Sequence, residues 1–162
     1  MIFSQSSGLP QSGPLNLKVL LQRVKEASVT VEGHNVVSIN RGLLALVGLE
    51  KEDDISVGRR IVEKLLSYRV FSDLNGRMNL SVKDVGGGVL IVPQFTLVAS
   101  TDSGSRPSFS DGMPPGQAHD LFEQIYQQLS VEHELTASGR FGADMQVALV
   151  NDGPVTFLLE LH

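Results

Sequence analysis

The apolar run from Val89 to Ala99 is interrupted by Pro93, at a place where binding chemistry is possible. Proline has no N–H to donate to a sheet ladder, so it marks a strand edge or a bulge. A bulge leaves the backbone N–H groups of Gln94, Phe95 and Thr96 free to face a ligand. At an ordinary edge strand the proline only protects the edge against aggregation. Both interpretations fit these residues.

Three further segments combine residue types that can bind a small ligand. The stretch from Gly139 to Met145 places Phe141 among small residues, which suits a flat ring such as a nucleobase, although Phe141 also suits a core position beside a turn. Arg106 lies among serines in a loop and either meets a phosphate or remains solvated. The stretch from Asn151 to Thr156 is an ordinary turn between strands, unless a cis bond at Gly153-Pro154 directs its carbonyl groups.

No residues have the spacing of a metal site or of a nucleophilic triad. The chain has no cysteine, which excludes disulfides, thiolate metal sites and a cysteine nucleophile. The histidines form no HxH or HExxH pair; they are His34, His119, His133 and His162. The triplet Gly86-Gly87-Gly88 follows a turn and opens a strand, so it is not a phosphate loop. We therefore expect neither a metal nor a cofactor.

Charge and hydropathy limit the possible partners. The net charge of −5 and the pI of about 5.3 disfavour a protein that grips many phosphates, so no DNA partner is expected and any RNA contact is local and directed at a terminus. No apolar run approaches the roughly 20 residues that span a membrane, and the stretch from Met1 to Asn16 lacks the features of a signal peptide. We expect a flexible extension or tag at 1–16, a single domain at 17–162 and a cytoplasmic location.

Hydrophobic periodicity predicts seven strands and two helices to position these segments. The strands are 18–24, 27–31, 36–39, 43–49, 89–99, 145–150 and 155–161. One helix is capped by Asp53 or Asp54 and extends to Tyr68, and the other begins near Pro115. Turns are expected at 71–78 and 151–154, and the Gly/Pro-rich loop at 101–116 has a length that often signals function. The pattern indicates an α+β domain with a largely antiparallel sheet or barrel and helices on one side.

Taken together and in this order, the segments resemble the bacterial and eukaryotic D-aminoacyl-tRNA deacylase family. The resemblance runs from Lys18 to about Glu160, nearly all of the folded chain. It rests on the segments Leu21-Gln22-Arg23-Val24, Ala27-Ser28-Val29, Tyr68-Arg69-Val70-Phe71, Gln94-Phe95-Thr96-Leu97, Arg106-Pro107-Ser108-Phe109 and Asn151-Asp152-Gly153-Pro154-Val155-Thr156. The last segment has the family form Asn-x-Gly-Pro-x-Thr, which is highly specific when it occurs with the segment from Gln94 to Leu97.

The resemblance implies a compact, β-barrel-like, homodimeric fold with its active site at the subunit interface. It places the terminal adenosine of an aminoacyl-tRNA, with its amino acid, against the catalytic residues Gln94, Phe95 and Thr96. The implied substrate-binding residues are Phe141, Gly142, Ala143, Met145 and Arg106.

The implied reaction is hydrolysis of the ester bond of D-aminoacyl-tRNA, in chiral proofreading during translation. By resemblance, Gly153-Pro154 is a Gly-cisPro pair that enters the partner subunit's pocket, where its carbonyl oxygens hold the α-amino group and leave no space for an L side chain. Glycyl-tRNA mischarged on tRNA-Ala is expected to pass this filter. In the family the 2′-hydroxyl of the terminal ribose assists hydrolysis, while the protein supplies positioning and N–H stabilisation of the oxyanion.

One residue departs from the family pattern. Pro93 stands where serine is usual, so that a hydroxyl and a backbone N–H are both lost. We expect activity to be retained, because Gln94 and Thr96 remain. The alternatives are a non-catalytic module that binds aminoacyl-tRNA or amino acids, an enzyme that clears glycyl- or L-alanyl-tRNA if the Gly153-Pro154 bond is trans, and a structural dimer without a ligand.

Overall fold

The computed structural model describes residues 16–162, and the extension predicted at 1–16 lies outside the described residues except for Asn16. Within the described part, the chain forms β-strands, two α-helices and one short 3-10 helix. The strands are β1 (Leu17–Val31), β2 (Asn35–Ile39), β3 (Gly42–Gly48), β4 (Phe71–Ser72), β5 (Met78–Leu80), β6 (Gly88–Pro93), β7 (Thr136–Ser138) and β8 (Met145–Leu161). The helices are α1 (Ile55–Ser67) and α2 (Pro115–Glu132), and the 3-10 helix is Phe95–Val98.

The main sheet is organised around β1, which is long enough to pair with three strands. β8 runs antiparallel along one edge of β1. Along the other edge, β3 pairs with the first half of β1 and β2 with its second half, both antiparallel. β6 then pairs with β3, and β7 with β6, in parallel. Because β2 approaches β7, the sheet nearly closes, and the result confirms the predicted barrel-like α+β fold with two helices.

Both faces of this sheet are covered by apolar side chains. Helices α1 and α2 pack on one face through an apolar stripe that includes the buried residues Ile61 and Phe122. The opposite face curves around a second core that includes Leu44 and Leu90. None of the helices within residues 16–162 is both long and apolar enough to cross a membrane. Close packing on both faces holds the strand ends in fixed positions.

The two longest strands correct the sequence prediction. Residues 18–24 and 27–31 form the single strand β1, and residues 145–150 and 155–161 form the single strand β8. The two strands pair on both sides of an irregular region between Gln22 and Glu26, where residues 152–155 of β8 have no partner in β1. Residues 151–154, predicted as a turn, therefore lie inside β8. The prediction was wrong because β1 offers a ladder on both sides of these residues, so that they form a bulge in one strand rather than a turn between two.

The predicted strand 89–99 also ends earlier than expected. β6 stops at Pro93, and a 3-10 helix occupies Phe95–Val98. β6 lies between β3 and β7, so Pro93 does not mark an edge strand; the ladder with β7 ends at Ile91, and the missing N–H falls beyond it. The predicted turn at 71–78 connects the short strand β4 to β5, which begins at Met78. The three-residue strand β7 was not predicted.

Candidate functional site

A cavity of about 650 Å³ opens where β3 and β6 end, beside the start of α2. Its lining is mostly apolar, and Gln94 contributes the one polar side chain among the described lining residues. Apolar residues from the strand ends and from α2, such as Val47, Ala118 and Phe122, complete the walls. Sequence reasoning missed these residues, because apolar residues at strand or helix spacing signal only a core. Concave, mostly apolar cavities of this size are typical of small-molecule sites.

The structure gathers most of the predicted site residues at this cavity and leaves four outside its lining. Those that line it are Gln94, Phe95, Phe141, Gly142, Ala143 and Met145. Thr96 lies next to them, and its hydroxyl accepts a hydrogen bond from Gln94 Nε2. Arg106, Gly153 and Pro154 are also outside the lining.

Three backbone N–H groups follow Pro93 at the edge of the cavity, and two of them are unbonded within the described part of the chain. The Gln94 N–H donates to the Val47 carbonyl oxygen at 2.8 Å, so it is not free, and the prediction for this residue was wrong. The Phe95 and Thr96 N–H groups have no acceptor among residues 16–162, because the first N–H groups of a helix precede its first internal hydrogen bond. Paired N–H donors of this kind suit an oxygen atom that becomes negatively charged during a reaction.

The segment 139–145 forms an aromatic wall of the cavity. Phe141 is half-buried; the His119 ring meets it edge-on at 5.8 Å between centroids, and the Phe122 ring lies 6.5 Å away. Gly142 has a φ of 79°, which favours glycine because a side chain is strained there. A fixed aromatic ring with small neighbours suits a planar ligand such as a purine.

The loop 101–114 leads from the 3-10 helix to α2 and forms the mouth of the cavity. Ser100 and Ser108 exchange backbone hydrogen bonds of 2.7 and 2.9 Å across its base. Farther along, the Met113 N–H donates to the Leu49 carbonyl oxygen at 3.0 Å. Arg106 lies between Ser100 and Ser108 in the chain and is exposed, so it belongs to the outer part of the loop.

Gly153 and Pro154 are exposed on an irregular part of β8, and the peptide bond between them is cis. Residues 152–155 have no partner in the ladder with β1. Instead, the Asn151 side chain accepts a hydrogen bond from the Val155 N–H at 2.7 Å and donates one to Thr156 Oγ1 at 2.9 Å. These two bonds close the bulge from its ends.

Arg23 holds this bulge from the β1 side, a role that sequence reasoning missed. Its Nε donates to the Asp152 carbonyl oxygen at 3.0 Å, and its Nη1 donates to the Val70 carbonyl oxygen at 2.6 Å. The Asp152 carboxylate is 3.5 Å from the same Nε, and the Arg23 side chain is only 12% exposed. The available signal was an arginine within an apolar strand, since such a charge is rarely buried without partners.

Within one chain, the bulge and the cavity lie apart. Val47, at the cavity, pairs with Val19 of β1, whereas Asn151, at the bulge, pairs with Val24. The five residue steps from Val19 to Val24 span roughly 16 Å along the strand. Gly153 and Pro154 therefore do not meet the cavity of their own chain.

The buried carboxylate of Asp53 has a structural role near the cavity. Burial raises the pKa of Asp53 from its ordinary value of 3.8, although its oxygens accept hydrogen bonds from the Asn16 and Glu50 N–H groups, each at 2.7 Å. These bonds fix the turn from β3 to α1 beside the loop 101–114. Across residues 16–162, no three His, Cys, Asp or Glu side chains come together as a metal site.

Comparison with known proteins shows which family this chain is similar to. A family model described as D-Tyr-tRNA(Tyr) deacylase matches residues 20–160. The D-aminoacyl-tRNA deacylase of Pseudomonas putida is 58% identical over 145 residues, which cover 90% of this chain and 100% of the relative. The protein of the same name from Azotobacter vinelandii is 56% identical over 144 residues, which cover 89% of this chain and 99% of the relative.

Two solved structures are similar to the fold. The "c-Myc DNA Unwinding Element Binding Protein" superposes with a TM-score of 0.85 at 40% identity, covering 90% of this chain and 99% of that chain. A structure described as "Structural Analysis of a probable eukaryotic D-amino acid tRNA deacylase" superposes with a TM-score of 0.81, covering 90% of this chain and 100% of that chain. Its 16% identity limits that second likeness to the fold.

Proposed function

Because the chain belongs to the D-Tyr-tRNA(Tyr) deacylase family and is a hydrolase of D-aminoacyl-tRNA, we propose that the cavity beside Pro93 receives the terminal adenosine of its substrate. The observation that carries this proposal is the pair of unbonded N–H groups of Phe95 and Thr96, placed beside the aromatic wall at Phe141. The wall suits the flat base, and the donor pair suits the ester oxygen. The Gln94 side chain then orients the part of the substrate that lies between the base and the ester oxygen.

In this proposal, the protein accelerates hydrolysis by positioning and by stabilising charge. Water attacks the ester carbon, and negative charge builds on the carbonyl oxygen beside the Phe95 and Thr96 N–H groups. The bond to the ribose oxygen then breaks, the neighbouring 2′-hydroxyl relays a proton of the attacking water to that oxygen, and the free D-amino acid and tRNA are released. The N–H that Pro93 lacks is not part of this donor pair, which supports retained activity despite the missing family serine.

We propose that the active form is a homodimer that associates through an apolar row on the sheet. Leu158 pairs with Leu20 of β1, which pairs with Leu46 of β3. Leu158 is 53% exposed, and the other two are half-buried. Leu46 in turn pairs with Val92, a lining residue of the cavity. A second copy packed on this row would therefore lie beside the cavity.

The dimer also supports a chiral filter built from Gly153 and Pro154. These residues are exposed and roughly 16 Å along the sheet from their own cavity, so a filter made from them acts on the partner's substrate. Their main-chain oxygens would bind the substrate's α-amino group and exclude an L side chain by steric contact. Glycyl-tRNA has no side chain to exclude, so it is also a substrate in this proposal.

The proposed ligand is the end of a charged tRNA in the cytoplasm, not duplex DNA. One structural relative has a name that refers to DNA, but a chain of net charge −5 does not neutralise the phosphate backbone of a duplex. An electrophoretic shift with duplex DNA is therefore expected to be absent at physiological salt. A salt-sensitive shift at micromolar protein would contradict this part of the proposal.

Deacylation of D-tyrosyl-tRNA and L-tyrosyl-tRNA by the purified protein tests the proposed function. The D-ester is expected to be cleaved at enzyme concentrations that leave the L-ester intact, and glycyl-tRNA is expected to be cleaved as well. Equal rates on the D- and L-esters would contradict the filter. Cleavage of neither ester would contradict the assignment of this cavity as a deacylase site.

A further inference from the structure

Two exposed aromatic side chains form a pair at the mouth of the cavity. Phe95 is 66% exposed and Phe109 is 47% exposed, yet both also line the cavity. Their ring centroids are 5.3 Å apart with an interplanar angle of 53°. Burial of a phenylalanine ring away from water is strongly favourable in free energy. Two exposed rings beside a binding cavity therefore indicate a surface that a ligand covers. We call this pair the aromatic platform.

The platform is held in place by backbone contacts on both of its sides. Phe95 is the first residue of the 3-10 helix. It directly follows Gln94, whose N–H donates to the Val47 carbonyl oxygen. Phe109 follows Ser108, whose backbone N–H and carbonyl group both bond to Ser100. The Phe109 carbonyl oxygen also accepts the Gly112 N–H at 3.2 Å. A platform fixed before binding costs little ordering when a flat group stacks on it.

The chemistry around the platform favours an unpaired nucleobase as its occupant. Single-stranded nucleic acids bind through bases stacked on aromatic side chains, together with cations that meet the phosphates. Arg106 is exposed in the same loop, three residues before Phe109, and has no ion-pair partner among residues 16–162. A strand whose last nucleotide fills the cavity must pass its preceding nucleotide across the mouth, where the platform lies.

Resting on the proposed function, we infer that the aromatic platform stacks the base of the nucleotide that precedes the terminal adenosine, while Arg106 meets the intervening phosphate. The enzyme then binds two nucleotides of the RNA end rather than one. This subsite adds affinity without adding many phosphate contacts, which is compatible with the acidic chain.

Short substrates isolate the contribution of that base. D-Tyrosyl esters of cytidylyl-adenosine and of the same dinucleotide with an abasic first ribose differ only in the preceding base. For the unmodified enzyme, we expect kcat/KM to be about tenfold higher with the base present, which corresponds to about 1.4 kcal/mol of stacking. Phe109→Ala is expected to reduce this ratio to near unity, whereas Phe109→Tyr is expected to preserve it.

Matched variants separate base stacking on the platform from a general loss of exposed apolar surface. Leu74→Ala removes a fully exposed apolar side chain from the hairpin 71–80 and is expected to leave the ratio unchanged. Arg106→Ala is expected to slow both dinucleotide esters equally. If Phe109→Ala leaves the ratio unchanged, slows D-tyrosyl-adenosine more than D-alanyl-adenosine, or weakens the dimer instead, then the platform holds another group and the inference is wrong.

Failure of the subsite and failure of the proposed function give different results. An enzyme that hydrolyses D-tyrosyl-tRNA but shows the same kcat/KM for both dinucleotide esters lacks the subsite and keeps the function. An enzyme that cleaves no D-aminoacyl ester lacks the function, and the inference falls with it.

Discussion

Arg23 connects two parts of the chain that sequence distance separates widely. Its guanidinium donates to the carbonyl oxygen of Asp152, 129 residues away, and to that of Val70, 47 residues away. Because the group is largely buried, both hydrogen bonds form in a setting where water does not replace a lost donor. The planar fork of arginine reaches both acceptors at once, which a lysine ammonium does not. Arg23 is thus a positioning residue for the bulge that contains Gly153 and Pro154.

Arg23→Ala is expected to lower the free energy of unfolding by about 2–4 kcal/mol, since two carbonyl groups lose a charged donor. Arg23→Lys restores one donor and is expected to recover part of this loss. In both variants the ratio of D- to L-tyrosyl-tRNA hydrolysis is expected to fall, because the bulge is no longer held. Urea unfolding and the two hydrolysis rates measure these effects.

The matched control for Arg23 is Arg60, whose Nη1 donates to the carbonyl oxygen of His162 at an exposed position. Arg60→Ala is expected to change the free energy of unfolding by less than about 0.5 kcal/mol and to leave the D/L ratio as it was. An Arg23→Ala protein with a native D/L ratio would show that the bulge keeps its shape without this arginine.

Helix α1 begins at an aspartate whose ionisation is coupled to folding. Asp54 is the N-cap, and it accepts hydrogen bonds from the hydroxyl and the N–H of Ser56. Mainly the Ser56 hydroxyl, and then the N–H groups of Ser56 and Val57, hold the pKa of Asp54 below its ordinary value of 3.8. A carboxyl group whose pKa is lowered by folding stabilises the folded state above its unfolded pKa, and this contribution is lost as the pH falls through the folded pKa.

Asp54→Asn is expected to leave stability at neutral pH nearly unchanged, because asparagine is also a good N-cap. The loss of stability between about pH 5 and pH 2 is expected to be smaller than in the unmodified protein, because one carboxylate no longer has to be protonated. Urea unfolding at several pH values measures the difference. Parallel stability curves for the two proteins would contradict the coupling at Asp54.

Strands β3 and β6 approach each other closely at two paired glycines. A Cβ atom on Gly42 would lie 1.9 Å from the carbonyl oxygen of Gly88, and a backbone atom cannot move aside as a side chain can. The parallel pairing of β3 with β6 begins at these residues. Because both strands end at the cavity, their spacing also affects the positions of Val47 and Pro93.

Gly42→Ala is expected to reduce the free energy of unfolding by about 3 kcal/mol, because the strands must separate to admit the methyl group. Gly116→Ala is the control: no atom lies within 4 Å of its Cβ position, and alanine in the first turn of α2 is expected to be neutral or to stabilise by up to about 1 kcal/mol. Thermal and urea unfolding give both values. Equal effects of the two substitutions would disprove the close approach.

At the scale of the whole molecule, the cavity and the bulge lie apart within one chain. The cavity lies at the ends of β3 and β6, and the bulge lies on β8 about five β1 residues away. The apolar row of Leu158, Leu20 and Leu46 crosses the sheet toward the cavity. Apolar surface of this kind is stabilised by a second protein surface. In the proposed dimer, which is symmetric, each bulge acts at the other subunit's cavity.

Leu158→Glu is expected to shift the protein from dimer to monomer at micromolar concentration and to reduce deacylation of D-tyrosyl-tRNA by at least about tenfold, since a charge is buried at the contact. The monomer itself is expected to keep its helix and sheet content, because Leu158 is exposed in the isolated chain. Analytical ultracentrifugation and circular dichroism measure both. Leu74→Glu, on the exposed hairpin tip, is the control; a Leu158→Glu dimer with full activity would contradict the proposed contact.

The sequence by itself determined the features that depend on neighbours along the chain. The apolar spacing of α1 and α2, an N-cap at Asp53 or Asp54 and an irregularity at Pro93 were predictable, because propensity, capping and the missing proline N–H act locally. The end of β6 at Pro93 was not, because the apolar run to Ala99 favoured a longer strand. The ordered set of segments around Gln94 to Leu97 and Asn151 to Thr156 was enough to identify the family. The mostly apolar lining of the cavity was not predictable, because the same residue types at the same spacing also form an ordinary core.

Only the tertiary structure decided which residues meet. β8 resumes its pairing at Thr156, beyond the bulge 152–155, because β1 runs beside it on both sides of the bulge, and no local pattern reveals that partner. Arg23 finds its acceptors across 129 and 47 residues, and the Gln94 N–H is bonded because β3 ends beside it. Each contact joins segments that are remote in sequence, and their closeness follows from sheet pairing and core packing over the whole chain.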